Sequence, residues 1–513
     1  MAKPQRSYPR NVVWGDVGIT SLGDFSGLLN IRDAPMQLGP SESPDVWNVV
    51  GNERGGVECR LGYTKYNSGA NTPYQAALVN YLYHWPTGGN KLVQCGAKLY
   101  KDTSTTAFKT FTSTARCAMA DFLGKVYIIH PIDGMFTYDG TTVTAVAAGP
   151  KGTTLCVWQN ILWAAGDPTA GSASRVWSSA IGDGATWPAT NYVDIREKDN
   201  QPIICLAGAS GVDTVGRSGF LVFKSESTYR INNSVTGAYA TIDAKVGAAS
   251  AISVVNIPGG KTITLSTRGI FETNGTSDMK PLGEREEPLW DASQINYAHP
   301  ELFCAGLKAN TVCFSLPQTT ATANNLAIEY HPDIGWISVG SNAASCYASH
   351  GGHTYFGSPS VNGQVYLADS GGTDDGTPIT SWFQTRWVEP ALGDMVRMRR
   401  VKIAGDGAVD LYAKKDYTSA SGIYVGALDT ITSYFVWGTT VWGDPVHTWG
   451  PYDTTGTADL PLDDCVYAVA FRVQAVSTTT RSRLIPFVDG STITRGAWAL
   501  YGLDLNFIPL GPN

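Results

Sequence analysis

The chain has 513 residues, of which 16% are charged and 11% aromatic, with 56 glycines, a balance that favours turn-rich β structure and excludes long coiled coils and charged disordered tails. A net charge of -7, from 37 Lys and Arg against 44 Asp and Glu, disfavours a protein that grips nucleic acid over a broad positive surface. No apolar run approaches the roughly 20 residues of a membrane helix, and MAKPQRSYPR leads into polar sequence, so neither a membrane span nor export by a signal peptide is expected.

The length predicts two to four domains at roughly 100 to 200 residues each. Nine cysteines, at 59, 95, 117, 156, 205, 304, 313, 346 and 465, are scattered, odd in number and without a CxxC, so they read as reduced, mostly buried thiols.

From Phe25 to Val49 the sequence FSGLLNIRDAPMQLGPSESPDVWNV is irregular and carries three prolines. Within it Ser41, Glu42, Ser43 and Pro44 suit the start of one short helix. The first 50 residues read as an arm that orders on a neighbouring subunit. GGVECRLGYTKYN, Gly55 to Asn67, reads as a hairpin strand.

A unit then recurs: a short apolar strand, a turn rich in Gly, Asp or Asn, and a second strand ending in aromatics. Its starts fall at residues 92, 126, 161, 220, 261, 311 and 354, a mean spacing near 44. A repeat of about 40 to 50 residues with a few short strands is what one β-propeller blade requires, because a single blade cannot bury both faces and must stack on neighbours. The expected fold is all-β: an N-terminal arm with platform strands over 1-70, an irregular propeller of six to seven blades over 71-380, and a C-terminal antiparallel β-sandwich over 381-513. The last domain rests on the alternation in SWFQTRW, MVRMRRVKIAG, AVDLYAKK, YAVAFRVQAV and ALYGLDLNFIPLGPN.

Chemistry is sparse. His350 and His353, in SHGGHTYFG, read as turn residues, since no third ligand lies at zinc spacing nearby. No GxSxG, GxxxxGK[ST] or GxGxxG occurs, which removes the readable signatures of serine hydrolases, P-loop enzymes and dinucleotide binders. Two acidic clusters, Glu284 with Glu286 and Glu287, and Asp369 with Asp374 and Asp375, have the residue type for glycoside hydrolysis, while the glycines around the second favour a solvated loop. SAIGDGATW, Ser179 to Trp187, is similar to the structural Asp-box turn of sialidase-like propellers. MVRMRRVKI puts Arg397 and Arg399 on one strand face and Arg400 and Lys402 on the other. That cluster suits contact with DNA or an acidic subunit, or a salt-bridged strand at an interface. No catalytic residue, metal or cofactor is expected.

The order of these features resembles the nozzle, or tail hub, proteins of short-tailed bacteriophages. The matching segments are FSGLLNIRDAPMQLGPSESPDVWNV, GGVECRLGYTKYN, CGAKLYKD at Cys95, RVWSSAIGDGATW, FLVFKSESTYRI, IEYHPDIGWISVG, GGHTYFGSPSVNGQVYLAD, MVRMRRVKI and ALYGLDLNFIPLGPN, in that order. The resemblance implies a non-catalytic virion tail protein assembled in the host bacterial cytoplasm. It implies a homohexameric tube beneath the portal and an adaptor ring, a channel that passes double-stranded DNA, and surfaces that hold tail fibres or spikes. Two other readings stay open: a propeller protein at the tip of a long-tailed phage, and a glycan-binding or glycan-processing propeller using carboxylates such as Glu286 or Asp374.

Overall fold

A computed structural model describes the chain except residues 1-17, 26, 35-36, 53-54, 68-73, 75-76, 200, 210-218, 235, 259, 277, 310, 333-334, 390-394, 418-421, 430-455, 467, 476-482, 487-491, 496-497 and 510-513. Among the described residues helix is confined to three 3-10 turns, Glu197–Asp199, Glu284–Trp290 and Pro300–Leu302. No helix there is long and apolar enough to cross a membrane.

The chain divides into two compact units, one of residues 63-370 and one combining residues 1-62 with 371-513. The first is a seven-bladed propeller. Blade 1 runs Val79–Trp85, Asn90–Cys95, Lys98–Lys101, Lys109–Thr110, and blade 2 begins at Ala118–Phe122. Blades 3 to 7 open with Thr154–Trp158, Ile203–Ala209, Val254–Ile257, Cys304–Lys308 and Tyr347–His350. Each opening strand abuts that of the next blade, and the seventh meets the first, so the ring closes.

All seven repeat starts read from the sequence fall on the second strand of a blade, for example Lys125–His130, Ile161–Ala165, Gly219–Lys224 and Thr311–Leu316. A second strand has hydrogen-bonded neighbours on both sides and blades stacked on both faces, so it is apolar along its length. Every residue of Ile161–Ala165 and Gly219–Lys224 is buried. The cores lie between blades: Trp163 of blade 3 meets Phe220 of blade 4 at 4.9 Å between ring centroids, in a cluster with Val176, Val222 and Tyr229. Burying each such side chain contributes about 1.5 to 3 kcal/mol.

Blade 7 supplies only three strands after residue 346; its fourth is Tyr63–Lys65, antiparallel to Val365–Ala368 with Tyr366 opposite Lys65. The propeller therefore begins at Tyr63 rather than residue 71 and ends at Ser370 rather than 380. The segment Gly55 to Asn67 is two strands, not one: Val57–Cys59 pairs with Val49–Gly51 in the other unit, and Tyr63–Lys65 joins blade 7. The break falls at Gly62, where a Cβ would stand 1.9 Å from the Thr373 carbonyl oxygen. Its amide donates to the Gly371 carbonyl at 2.8 Å, a bond within the other unit that joins the points where the chain leaves and re-enters it.

The main sheet of the second unit is antiparallel, as expected after residue 380, and is one curled ten-stranded sheet, half a barrel. Val396–Lys415, 20 residues long, runs through both parts of it. Residues 396-405 pair with Gly456–Val466 on one side and Trp498–Pro509 on the other; residues 408-415 pair with Ile423–Asp429 and Val469–Ala475. The amino-terminal segment belongs to this sheet: Gly18–Leu22 and Val57–Cys59 pair with Trp498–Pro509, and Asp45–Trp47 pairs with Trp382–Gln384. Phe25, Leu29, Leu38, Val46 and Val49 are buried within the chain itself, so the described part of the expected arm needs no neighbour to pack.

The helix start expected at Ser41 to Pro44 is instead a strand, Glu42–Ser43, parallel to Leu28–Leu29. The side chains that would cap a helix are committed to other bonds. The buried Glu42 carboxylate accepts from Asn30 Nδ2 at 2.8 Å and the Gly39 amide at 2.7 Å, and Ser43 Oγ donates to the Gln384 carbonyl at 2.5 Å. Eight cysteines are free and buried; the side chain of Cys465 lies outside the described residues.

Candidate functional site

The basic cluster sits at the start of the 20-residue strand, and its geometry corrects the expected division over two faces. Val396, Met398, Val401 and Ile403 are fully buried, while Arg397, Arg399, Arg400 and Lys402 are all exposed. Along the Trp498–Pro509 neighbour, Met398 is opposite Phe507 and Arg400 opposite Asn506, two steps on one strand against one on the other. Arg399 is thus the extra residue of a β-bulge, and the register to Gly456–Val466 is irregular at the same place. The bulge shifts the alternation by one, so all four cations share the solvent face. The signal was present in the sequence as the charged doublet Arg399-Arg400 interrupting an otherwise strict alternation.

Lys402 is in register with Asp459 on one side and Asp504 on the other. Arg397 is in register with Cys465 and Ile508, and Arg400 with Pro461 and Asn506, none of them acidic. Guanidinium groups arrayed along one strand match carboxylates or phosphates in bidentate geometry.

In the same sheet Arg472 lies over the Trp382 ring, 4.4 Å from its centroid, and Trp382 stacks on Trp47 at 5.7 Å. Trp382 Nε1 donates to Asp45 Oδ1 at 2.8 Å, which holds the indole while its ring stays half-buried. Arginine and tryptophan so presented are enriched in protein interfaces. No motif in the sequence singled out this group, because its members come from strands centred on residues 46, 383 and 472.

The carboxylates named from sequence do not form pairs. Glu284, Glu286 and Glu287 lie on the Glu284–Trp290 3-10 turn, with Glu286 buried and the other two exposed. Asp374 is not in a solvated loop: it receives Arg60 in a fork, Nη1 to Oδ1 at 2.8 Å and Nη2 to Oδ2 at 2.6 Å, while Arg60 Nε donates to Asn48 Oδ1 at 2.8 Å. Asp369 binds Lys308 at 2.9 Å, which also reaches Glu329 at 2.9 Å, and Asp375 is exposed. His350 and His353 face each other across the Gly351-Gly352 turn, where both glycines have positive φ. Among the described residues no three His, Cys, Asp or Glu side chains gather as a metal site.

The Ser179 to Trp187 turn is structural. Asp183 Oδ1 accepts the Ala185 amide at 2.8 Å, its carboxyl held below the ordinary range chiefly by the Thr186 hydroxyl, and buried Trp187 donates Nε1 to the Gly184 carbonyl at 2.8 Å.

No family model matches the chain, and no curated protein matches it. Solved structures with similar folds include a catalytically inactive virginiamycin B lyase from Staphylococcus aureus, with TM-score 0.40 and 10% identity over 60% of this chain and 99% of that one. BamB from Moraxella catarrhalis gives 0.35 and 12% over 68% and 98%. The extracellular domain of a B. thetaiotaomicron protein assigned as a hybrid two component system gives 0.34 and 12% over 72% of this chain; the present chain spans about half, 52%, of that domain. At these values the likeness concerns the fold alone, and the blade count rests on the strand topology.

Proposed function

We propose that this chain is a structural subunit of a short-tailed phage tail, the nozzle or hub, that assembles as a homohexameric tube under an adaptor ring, passes DNA and carries fibres or spikes. The observation that carries the reading is the serial order of segments similar to that family, from FSGLLNIRDAPMQLGPSESPDVWNV through the propeller to ALYGLDLNFIPLGPN. The fold is compatible with it: a closed propeller inserted into a curled sheet leaves the sheet built from both ends of the chain, a unit suited to forming a ring wall. The exposed row Arg397, Arg399, Arg400 and Lys402 is the candidate surface for a neighbouring acidic subunit or for passing DNA. An overall charge of -7 keeps any hold on DNA weak, which suits a conduit.

The test is the mass and projected symmetry of the purified chain, by light scattering and negative-stain averages, with and without the phage's adaptor ring. A six-fold ring with an axial hole, alone or on the adaptor, is the expected result. A compact monomer indifferent to the adaptor would overturn the reading and favour a glycan-binding propeller, for which binding to host polysaccharides is the next assay.

A further inference from the structure

On the propeller face where the chain enters its innermost strands, a cleft of about 370 Å³ is lined by Leu78, Val79, Ala115, Leu302, Ala323 and Pro359, with Arg116 among them. Arg116 lies just before the first strand of blade 2. Its Nε donates to the Asn80 carbonyl of blade 1 at 2.9 Å, and its Nη1 donates to the Glu301 carbonyl, in the turn before blade 6, at 3.0 Å. The side chain thus bridges blade 1 and the turn before blade 6, and it also borders a cavity of about 280 Å³ lined by Tyr81, Cys117, Cys156 and Cys205.

Two neutral carbonyl oxygens fix the guanidinium plane without neutralising it. The nearest carboxylate in the cleft, that of Glu301, is engaged with His299 Nδ1 at 3.0 Å. Among the described residues no Asp or Glu forms an ion pair with Arg116, and its Nη2 edge has no protein acceptor. A half-buried cation held in one orientation, with donors to spare and aliphatic walls around it, is a recognition site for a single negative charge on an apolar body. A phosphate dianion would call for more than one cation, and a sugar for an aromatic platform; the cleft wall has neither.

We propose that this cleft binds a small aliphatic carboxylate, with the acid group on the Nη2 edge of Arg116 and the hydrocarbon against Leu78, Leu302 and Ala323. Such a group is found on a free organic acid and on the carboxy-terminus of a peptide ending in an aliphatic residue. The inference does not depend on the phage reading.

The full-length chain is titrated calorimetrically with N-acetyl-L-leucine, with N-acetyl-L-leucinamide, and with a tripeptide acid ending in leucine. Saturable binding of at least one acid, with the amide at least ten-fold weaker, is expected. A tighter peptide acid identifies a chain terminus as the source, and a tighter single residue identifies a free acid. Arg116→Gln abolishes the acid's advantage over the amide. Because Arg116 also braces two loops, Ala323→Trp serves as the second variant, filling the cleft with Arg116 untouched and removing binding. Equal response to acid and amide, no saturable binding of either acid, or acid binding that survives Ala323→Trp would overturn the proposal.

Discussion

His84 of blade 1 and His350 of blade 7 stack ring on ring, 3.5 Å between centroids and 29° between planes, across the seam where the propeller closes. Burial, then the His350 and Lys91 charges, hold His84 below its ordinary value of 6.5, opposed by a backbone hydrogen bond at Asn90 and then by Asp102; His353 lies in register with His350. A depressed histidine binds fewer protons folded than unfolded, so stability falls as pH drops through about 6.5 and levels off below the folded-state value. The melting temperature is expected to fall between about pH 7 and pH 5. His84→Phe, which keeps a ring on His350, should weaken that slope without abolishing it, since burial also lowers buried His130 against the pull of Asp133. A flat melting profile over that range in the native chain would contradict the assignment.

The bulge at Arg399 makes a prediction that a regular strand would not. Deleting Arg399 leaves Val396, Met398, Val401 and Ile403 alternating with Arg397, Arg400 and Lys402, with every apolar residue still inward. That deletion should fold with a melting temperature close to native. Inserting one alanine after Val401 creates a second phase slip, turns Ile403 outward and should destabilise the sheet severely. Paired thermal melts of the two variants compare the outcomes directly.

Asp374→Asn removes the forked carboxylate from the Arg60 guanidinium, which is 2% exposed. Removing one member of a buried pair costs on the order of 3 to 5 kcal/mol. Urea unfolding followed by fluorescence should show an earlier midpoint for the unit containing residues 1-62 and 371-513. Asp375→Asn, on the exposed neighbour, should move it little. Equal effects of the two would remove the ion pair from the account.

Trp163→Ala empties the contact between blades 3 and 4, where Trp163 is 1% exposed and packs on Phe220 and Trp158. A loss of about 3 to 5 kcal/mol is expected, against little change for Ile181→Ala, whose side chain is 71% exposed. The comparison is read from denaturation midpoints.

How much of this was legible beforehand depended on where each signal resides. The propeller was readable through its second strands, because runs such as ILWAA and GFLVFK are buried on both faces and cannot alternate. Its boundary was not. Tyr63–Lys65 is three residues of which Thr64 and Lys65 are exposed, and its role as the closing strand is set by a distant partner, Val365–Ala368. Glu42 and Ser43 carry local helix-start chemistry that distant acceptors and donors override. Arg116 has no motif around it; its significance lies in which carbonyls surround it in space.

The pairing of Trp498–Pro509 with Gly18–Leu22 sets the order in which the molecule can be made. By the time residue 370 has been synthesised, every strand of the propeller exists, including the closing strand from residues 63-65. The Gly18–Leu22 and Val57–Cys59 strands still lack the Trp498–Pro509 partner, which is translated later. At about 5 to 20 residues per second, that interval is on the order of ten seconds. Unpaired strand edges invite the wrong neighbour, so a message truncated before residue 498 would yield a finished propeller carrying an open, adhesive sheet.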